Sequence, residues 1–258
     1  MQLTGRVAAI TGGTRGIGRG IAEAFLAEGA RVVINGRSLE KGAAALAELG
    51  AGDAAHFVAG DVRVQADVEG VIDATVARYG RIDILVNNAG GSSGFAPVAE
   101  LSDEAWREAL DWMLNATFYA TRRALRDMLP RRWGRILNIS SVEGRKANKN
   151  SVAHYITNKH AINGFTKAVA FENGPHGITC NAILPGAVET DLMRGPGRAA
   201  ATAMGLSYEQ FLDSYAQEAA IKRLNTVQEI AAVAVLLASE SGAGITGALI
   251  DVDGGSSL

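Results

Sequence analysis

A tyrosine and a lysine stand four residues apart in the segment Tyr155–Lys159, and Ser141 lies upstream at the end of an apolar run. The surrounding sequence has the pattern of a helix, in which side chains at positions i and i+4 lie on one face. A free phenol titrates near ~10 and transfers protons poorly at neutral pH. A fixed cation close by stabilises the phenolate, so Lys159 could bring the Tyr155 proton into a working range. The spacing therefore predicts a site for proton transfer, although a helix that packs a tyrosine beside a surface lysine is the alternative interpretation.

Such chemistry needs a pocket, and the composition allows a large one. The chain has 258 residues, of which 48% are apolar, and a net charge of -2. These values predict one α/β domain over residues 1–258 with a sizeable core. The near-neutral charge gives no general reason to bind nucleic acid or an anionic membrane, so the expected partner is a small molecule.

Cys180 is the sole cysteine, which excludes an internal disulfide and predicts a packed thiol. The N-terminus has no apolar signal core, and the longest apolar run, Ile230–Ala238, is too short to span a bilayer. We therefore expect a cytoplasmic protein, and we predict no metal ligands.

Short apolar runs alternate with helical patterns along the chain. The runs are bounded by Gly, Asp, Asn or Pro, as is typical of parallel strands covered on both faces. The predicted strands are Val7–Thr11, Arg31–Asn35, Ala55–Gly60, Ile82–Asn87, Arg135–Ser140, Ile178–Leu184 and Ala248–Val252. The predicted helices cover about residues 16–29, 38–49, 64–79, 102–128, 152–173 and 226–238, and Pro130 and Pro185 are expected to end their neighbours. The alternation predicts a doubly wound Rossmann domain with a parallel sheet of about seven strands.

The loops at one edge of this sheet carry glycine and polar residues. In such sheets, ligands bind outside the carboxyl ends of the strands. The segment Thr11–Gly18 follows the first strand, and its glycines let the backbone approach a pyrophosphate at the next helix N-terminus. Later strands are followed by Asp61 and Val62, by Asn87–Gly90, by Ser140 and Ser141, and by Pro185–Thr190. A glycine-rich turn alone can be a plain connection, but five such loops together predict a cleft.

In this order, the motifs resemble the short-chain dehydrogenase/reductase family over essentially the whole chain. The resemblance is carried by Thr-Gly-x-x-x-Gly-x-Gly at 11–18, Asn-Asn-Ala-Gly at 87–90, Asn115, Ser141, Tyr155-x-x-x-Lys159, Pro185-Gly186 with Thr190, Ile245-Thr246-Gly247 and Val252–Gly255. It implies an oxidoreductase that interconverts a ketone and a secondary alcohol, similar to the 3-oxoacyl-thioester reductases.

The resemblance implies a role for each of four catalytic residues. Tyr155 would donate a proton to the carbonyl oxygen while the nicotinamide delivers hydride to the carbon. Lys159 would lower the pKa of the phenol and bind the nicotinamide ribose, and Ser141 would hold the substrate oxygen. Asn115 would anchor a water chain from Lys159 to solvent, unless it merely bends its helix. Ser140 is the rival of Ser141 for the active hydroxyl.

The resemblance also predicts which residues bind the dinucleotide. They are Gly12, Thr14, Arg15, Gly16, Ile17, Gly18, Arg37, Asp61, Val62, Asn88, Ala89, Gly90, Tyr155, Lys159, Pro185, Gly186, Val188 and Thr190. Asp61 is expected to meet the adenine, and Asn88–Gly90 the side of the adenosine ribose.

The choice between the two dinucleotides depends on the end of the second strand. A carboxylate there would bind the ribose 2'-hydroxyl of NAD, but this chain has Gly36 followed by Arg37, with Arg15 available from the glycine loop. Two guanidiniums and no acid favour NADP(H) over NAD(H), which stays possible if both arginines are merely solvated.

Residues 191–217 are the most individual part of the chain. Gly195-Pro196-Gly197 and an Ala-rich run predict a mobile connection, and Tyr208–Tyr215 a short amphipathic helix. In the family this region covers the substrate, so we expect a lid, with an ordered surface helix as the alternative. Its residues expected in the pocket are Leu192, Met193, Phe211 or Tyr215.

Other residues near the catalytic pair have more than one interpretation. His154 and Asn158 either contact the substrate, pack inside the protein or face the solvent. The loop between Ser141 and Tyr155 carries Glu143, Lys146 and Lys149, which are expected to be solvated or to shape the mouth of the site.

The sequence leaves the substrate and the assembly open. Candidate substrates are 3-oxoacyl thioesters on a carrier protein or on CoA, cyclic or polyketide-like ketones, and simple secondary alcohols. Arg131, Arg132 and His176 give only a thin positive patch for a carrier protein, and apolar lid residues favour a hydrophobic substrate body. The alternatives are a non-catalytic NADP-sensing regulatory protein, an NAD-dependent secondary alcohol dehydrogenase and a structural subunit.

By resemblance we expect a homotetramer built through the helices at 102–128 and 152–173 and the final strand.

Overall fold

Seven parallel strands form one sheet in the computed structural model, which describes residues 1–258 apart from the side chains of Leu192 and Pro196. The strands are β1 (Val7–Ile10), β2 (Arg31–Gly36), β3 (Ala55–Ala59), β4 (Ile84–Asn87), β5 (Gly134–Ile139), β6 (Ile178–Pro185) and β7 (Leu249–Val252). Their order in the sheet is β3-β2-β1-β4-β5-β6-β7, and every neighbouring pair is parallel. The predicted doubly wound sheet is therefore confirmed, with strand ends shifted by a residue or two. The chain crosses from β3 back to β4 beside β1, which opens a crevice at the carboxyl ends of β1 and β4.

Helices cover both faces of the sheet. They are α1 (Gly16–Ala27), α2 (Leu39–Leu49), α3 (Gln65–Tyr79), α4 (Asp103–Leu110), α5 (Ala116–Arg131), α6 (Ala153–Asn173), α7 (Asp191–Ala203), α8 (Tyr208–Glu218) and α9 (Val227–Ala238). On one face, Phe25 of α1 and Ile230 of α9 are fully buried with Ile34 of β2. On the other face, Ile72 of α3 and Met128 of α5 are fully buried in the same way. None of the helices in the described part of the chain is long and apolar enough to cross a membrane.

Two expectations about α4 and α5 were wrong. The predicted helix 102–128 is interrupted by a π-helical turn over Asp111–Asn115, whose wider turn is a common local distortion near functional sites. Pro130 does not end the helix but lies in the last turn of α5. A proline this close to the end removes only one backbone hydrogen bond, and the helix closes at Arg132, whose φ of 51° is left-handed.

The predicted mobile connection after residue 191 is helix α7, which is a further correction. Asp191 lies in its first turn, where a carboxylate interacts favourably with the helix N-terminus, and the Ala-rich run has high helix propensity. The predicted short helix is present as α8 and extends to Glu218. A capping box between Ser207 and Gln210 fixes its start.

A chain of buried polar side chains connects the sheet to α5 and to α6, the helix that carries Tyr155 and Lys159. Asn87 of β4 donates through Nδ2 to Thr121 of α5 at 3.0 Å and to Asn138 of β5 at 2.8 Å. Asn138 in turn donates to the hydroxyl of Thr166 in α6 at 2.8 Å. Because a buried polar group without its partner is costly, this chain fixes α5 and α6 relative to the strand ends.

Candidate active site

A cleft of about 380 Å³ lies at the carboxyl ends of the strands. It is lined by all of the predicted dinucleotide-binding residues except Gly18, namely Gly12, Thr14, Arg15, Gly16, Ile17, Arg37, Asp61, Val62, Asn88, Ala89, Gly90, Tyr155, Lys159, Pro185, Gly186, Val188 and Thr190. Gly18 was expected in the cleft but lies below it. A Cβ atom on this residue would stand 2.3 Å from Nδ2 of Asn88, so its glycine is required for packing of the loop.

The glycine loop is held in place by the loop after β4. The hydroxyl of Thr11 accepts the backbone N–H groups of Asn88 and Ala89, both at 3.1 Å. In return, Nδ2 of Asn88 donates to the carbonyl oxygens of Thr11 and Gly12, at 2.9 and 3.0 Å. Gly12 has a φ of +65°, and a Cβ there would lie 3.0 Å from Cα of Ala89. The Asn88 side chain was predicted to face the ribose, but its amide nitrogen hydrogen-bonds the glycine loop.

The cleft fits a nicotinamide dinucleotide. Its floor is the bare backbone of the glycine loop, in which side chains at positions 12 and 18 would collide with the Asn88–Ala89 loop, followed directly by the N-terminus of α1. At the end of β2, a Cβ on Gly36 would lie 2.9 Å from Cγ2 of Thr14, so the Thr14 side chain would have to shift before a residue with a carboxylate could stand there. Arg15, Arg37 and Lys41 line this end, and among the described side chains neither arginine forms an ion pair.

Asp61, the residue predicted to meet the adenine, is oriented by Arg63. The guanidinium donates to both carboxylate oxygens, through Nε at 3.1 Å and through Nη2 at 2.6 Å. This hydrogen bonding lowers the pKa of Asp61, and the charge of Arg37 acts in the same direction. The carboxylate therefore stays ionised at the rim of the cleft.

Ser141 and Tyr155 line both this cleft and a second, larger cavity of about 530 Å³. The Ser141 side chain is only 8% exposed, and its oxygen accepts the backbone N–H of Glu143 at 3.1 Å. The rival hydroxyl of Ser140 donates instead to the backbone oxygen of Lys159 at 3.3 Å. The structure thus places the Ser141 oxygen and the Tyr155 phenol together where the two cavities join.

Lys159 was predicted to lower the pKa of Tyr155, and the structure differs from this prediction. The Lys159 ammonium lies 5.5 Å from the centre of the Tyr155 ring and donates to the backbone oxygen of Ile139 at 2.9 Å. Burial raises the pKa of Tyr155 instead of lowering it, with the Ser141 hydroxyl acting in the opposite direction. Burial also lowers the pKa of Lys159 to about 8. Desolvation dominates because both groups are enclosed by protein, a property that the spacing of two residues cannot show.

Asn115 lies at the end of the π-helical turn, away from both cavities. Its Nδ2 donates to the Asp111 carboxylate at 2.7 Å, within the same turn. The turn itself reaches the site, because a Cβ on Gly90 would meet Cγ of Met113 at 3.3 Å and Nζ of Lys159 at 3.8 Å. The water-chain role of Asn115 stays a prediction.

The flanking residues His154 and Asn158 pack inside the protein. His154 is fully buried, and its Nε2 lies 3.0 Å from the backbone oxygen of Ser93. Asn158 donates to the backbone oxygen of His154 at 2.8 Å. Neither residue lines the two cavities, so the packing alternative holds for both.

One of the predicted lid residues reaches the second cavity. Tyr215 lines it, whereas Phe211 is buried in an edge-on contact with Tyr215 and stacked on Tyr208. Met193 does not line the cavity, and the side chain of Leu192 lies outside the described residues. The region 191–217 therefore contributes an aromatic wall through α8.

Sequence reasoning missed several residues of the site. Trp112 lines both cavities, with the guanidiniums of Arg37 and Arg63 at 5.7 and 5.9 Å from its ring centre. The π-helical turn that aims it inward has no sequence signal. Thr11 stood at the start of the glycine motif, so its hydroxyl could have been found. Glu143, which was expected to be solvated or to shape the mouth of the site, is only 8% exposed and lines the second cavity, so the second alternative holds.

Comparisons with known proteins agree with this geometry. Residues 6–200 match the family model described as short chain dehydrogenase. The chain is 37% identical over 256 residues to the 3-oxoacyl-(acyl-carrier-protein) reductase FabG of Escherichia coli, covering 99% of this chain and 98% of that protein. It is 36% identical over 256 residues to the D-β-hydroxybutyrate dehydrogenase of Cupriavidus necator, covering 98% of both.

A solved structure agrees as well. The crystal structure of a variant of actinorhodin polyketide ketoreductase with NADPH superimposes with a TM-score of 0.92 at 36% identity, covering 100% of this chain and 98% of the other. A cleft for a dinucleotide, a phenol and a hydroxyl at its inner end and full-length similarity to reductases and dehydrogenases lead to one conclusion. The chain belongs to the short-chain dehydrogenase family and is an NAD(P)-dependent oxidoreductase that acts on a ketone or an alcohol.

Proposed function

We propose that the protein is an NADP(H)-dependent reductase that converts a cyclic or polyketide-like ketone into a secondary alcohol, with a 3-oxoacyl thioester as the second candidate substrate. The observation that carries this proposal is the shared position of Ser141 and Tyr155 between the two cavities. One cavity has the backbone cradle and cations for the dinucleotide. The other is open for a carbonyl compound.

Ser141 and Tyr155 have different roles in the proposed reaction. Ser141 binds the carbonyl oxygen, and its hydrogen bond strengthens as negative charge develops there. The Tyr155 phenol gives its proton to that oxygen, and the alcohol is formed. When bound, the dinucleotide supplies the hydride that the carbonyl carbon receives. Burial raises the pKa of Tyr155, so the phenol keeps its proton at neutral pH and suits the direction of ketone reduction.

Three cations support NADP(H) as the cofactor. Arg15, Arg37 and Lys41 line the end of the cleft beside β2, where Gly36 supplies no acidic side chain and a larger residue would crowd Thr14. Guanidinium groups bind a phosphate through paired hydrogen bonds. The related polyketide ketoreductase structure was solved with NADPH.

The cofactor proposal is tested by the ratio of kcat/KM for NADPH to that for NADH. We expect a ratio well above one, and a fall of about tenfold or more in the Arg37→Ala variant because a charged partner of the phosphate is lost. Arg19→Ala is the matched control, since this guanidinium is engaged with Glu23 and Glu48 outside the cleft. A wild-type ratio below one would favour an NAD-dependent secondary alcohol dehydrogenase.

The second cavity favours a free ketone over a substrate on a carrier protein. Its volume of about 530 Å³ is in the range that encloses a ring-containing small molecule. Arg131, expected to contribute to a carrier-docking patch, donates to Asp83 at 2.9 Å and also binds Asp127. Arg132 donates to the backbone oxygen of Pro175 at 2.7 Å. The similarity to FabG keeps 3-oxoacyl thioesters as the second candidate.

Single-turnover oxidation of enzyme-bound NADPH across a panel of cyclic ketones and 3-oxoacyl thioesters tests the reaction. We expect rapid oxidation with a cyclic ketone, and a rate lower by about 10²–10⁴-fold in Tyr155→Phe because the proton donor is lost. The variant should still bind NADPH. If the protein binds NADPH but no ketone of the panel leads to NADPH oxidation, a dinucleotide-sensing protein would be favoured.

A further inference from the structure

The wall of the second cavity contains a buried carboxyl group that the proposed reaction does not use. Glu143 lines this cavity two residues after Ser141 and is only 8% exposed. Its Oε2 atom is buried and has no hydrogen-bond partner. Buried polar atoms in folded proteins are nearly always paired, so this oxygen requires an explanation.

The cations near Glu143 are engaged elsewhere. Nζ of Lys149 lies 2.5 Å from the carboxylate of Glu218, and Nζ of Lys146 donates to the backbone oxygen of Ser256. Their charges still lower the pKa of Glu143, but burial raises it by more. The carboxyl group is therefore not part of an internal ion pair that would account for its position.

A second unpaired acceptor lies in the same wall. Asn225 is 7% exposed and lines the cavity, and its Oδ1 atom is buried without a partner. The Nδ2 atom of Asn225 donates to the Glu229 carboxylate at 3.4 Å. This hydrogen bond leaves Oδ1 of Asn225 without a donor. Two residues of one cavity wall thus each carry a buried oxygen that no donor reaches, and a side-chain rotation would offer either oxygen to a ligand that brings donors of its own.

The charges of the wall indicate a neutral ligand. Its cations are Lys146, Lys149 and Arg223, and its anions are Glu143, Glu218 and Asp253. The two sets balance when Glu143 is ionised and leave one net positive charge when it is protonated, so the cavity gives no strong preference for an ionised substrate. A hydroxyl group can donate to a carboxylate and can also accept from a protonated carboxyl, so it matches Glu143 in either form.

We propose that Glu143, assisted by Asn225, selects neutral ketones that carry a hydroxyl group in addition to the reacting carbonyl. The terminal torsion of a glutamate side chain is broad, so Oε2 can turn toward a bound hydroxyl without a change of the backbone. This inference rests on the proposed ketone reduction and specifies its substrate class. It adds a hydroxyl group to the hydrophobic substrate body that the sequence led us to expect.

Matched ketones test the proposal. Cyclohexanone is compared with its 2-, 3- and 4-hydroxy derivatives, which sample different distances between the carbonyl and the hydroxyl. For wild type, we expect kcat/KM with NADPH to be at least about tenfold higher for one hydroxyketone than for cyclohexanone, because a site built to hydrogen-bond a hydroxyl rejects the analogue without it. Glu143→Leu should remove this preference, and Glu143→Gln, which keeps an acceptor oxygen, should restore part of it. Glu40→Leu, at an exposed position of α2, is the matched control.

A binding measurement separates this proposal from the reaction itself. Calorimetry on Tyr155→Phe protein loaded with NADPH gives the affinity for each ketone without turnover. Tighter binding of a hydroxyketone that is lost only with the added Glu143→Leu change supports the role of Glu143, whether or not wild type reduces the compound. Equal affinities for the paired ketones, equal weakening of both by Glu143→Leu, or no binding of either would overturn it.

Discussion

Tyr155 and Lys159 show how enclosure changes the properties of two ordinary side chains. The phenol keeps its proton because burial raises its pKa, and the ammonium loses its proton more easily because burial lowers its pKa to about 8. At neutral pH both groups are therefore protonated, and the site holds a proton donor beside a cation. This combination suits delivery of a proton to a carbonyl oxygen.

The rate of ketone reduction should depend on the protonation of Lys159. Below pH 8 the ammonium is present, and above its pKa of about 8 the charge is lost while the phenol of Tyr155 stays protonated. We expect kcat/KM for the ketone to fall as the pH rises through this value, since the cation that supports the site is removed.

A pH profile of kcat/KM at saturating NADPH measures this dependence. The affinity for NADPH over the same pH range is the control, because it separates binding of the cofactor from the proton-transfer step. A profile that stays flat well beyond the pKa of Lys159 would show that its charge is not needed.

At the level of single residues, the sequence predicted identities better than environments. The trio of Ser141, Tyr155 and Lys159 was found from spacing and motif, and the structure brings its members together. The pKa of Tyr155 was predicted in the wrong direction because desolvation depends on the surrounding elements. For Glu143 the sequence left solvation and a place at the mouth of the site open, because its burial likewise depends on the surrounding elements.

At the level of elements, a glycine in a helix either allows close packing or only weakens the helix, depending on what lies next to its Cα atom. Gly18 of α1 lies against Asn88 and the backbone oxygen of Gly12, at 2.3 and 2.6 Å from where a Cβ would be. Gly70 of α3 has nothing within 4 Å of the same position. The first glycine is required by close approach, and the second only weakens its helix.

Alanine substitutions at these two positions should change stability in opposite directions. We expect Gly18→Ala to lower the free energy of unfolding by about 1–3 kcal/mol, because the glycine loop must move, and to weaken NADPH binding. Gly70→Ala should raise it by about 0.5–1 kcal/mol through helix propensity and leave binding unchanged. Urea unfolding and NADPH titration measure both effects. Equal stability of the two variants would contradict the close packing of Gly18.

The sequence predicted regular elements well and distortions poorly. Each of the seven strands was found because buried parallel strands are continuous apolar runs with clear ends. The π-helical turn at Asp111–Asn115 was missed, since helix continues on both sides of it and neither Gly nor Pro marks it in the sequence. Helix α7 was missed because its glycines suggest a loop, whereas the alanines that follow favour a helix.

At the level of the whole molecule, one sheet from β1 to β7 positions both cavities, and a single domain over residues 1–258 stays a prediction. The helices expected to form subunit contacts carry exposed aromatic side chains. Phe118 of α5 is 40% exposed and Phe171 of α6 is 89% exposed. Exposed aromatic groups of this size are typical of interaction surfaces.

We expect the protein to assemble as a homotetramer in which Phe118 is buried between subunits. Phe118→Glu should then shift the assembly to smaller species, because a carboxylate would be desolvated in the interface. Leu39→Glu is the matched control, since Leu39 of α2 is 73% exposed but lies on a helix outside the expected contacts. Sedimentation velocity measures the species present. A monomeric wild-type protein, or equal behaviour of the two variants, would contradict the expected assembly.

The position of Trp112 makes its fluorescence a probe of ligand binding in both cavities. Its indole borders both cavities, whereas Trp133, one of the two other tryptophans, lies under the guanidinium of Arg6 at 3.6 Å from the ring centre and lines neither of them. A dinucleotide or a substrate that enters its cavity displaces water from one side of the Trp112 ring. The intrinsic fluorescence of the unlabelled protein should therefore change in two separable steps, which allows the order of ligand addition to be followed by stopped flow.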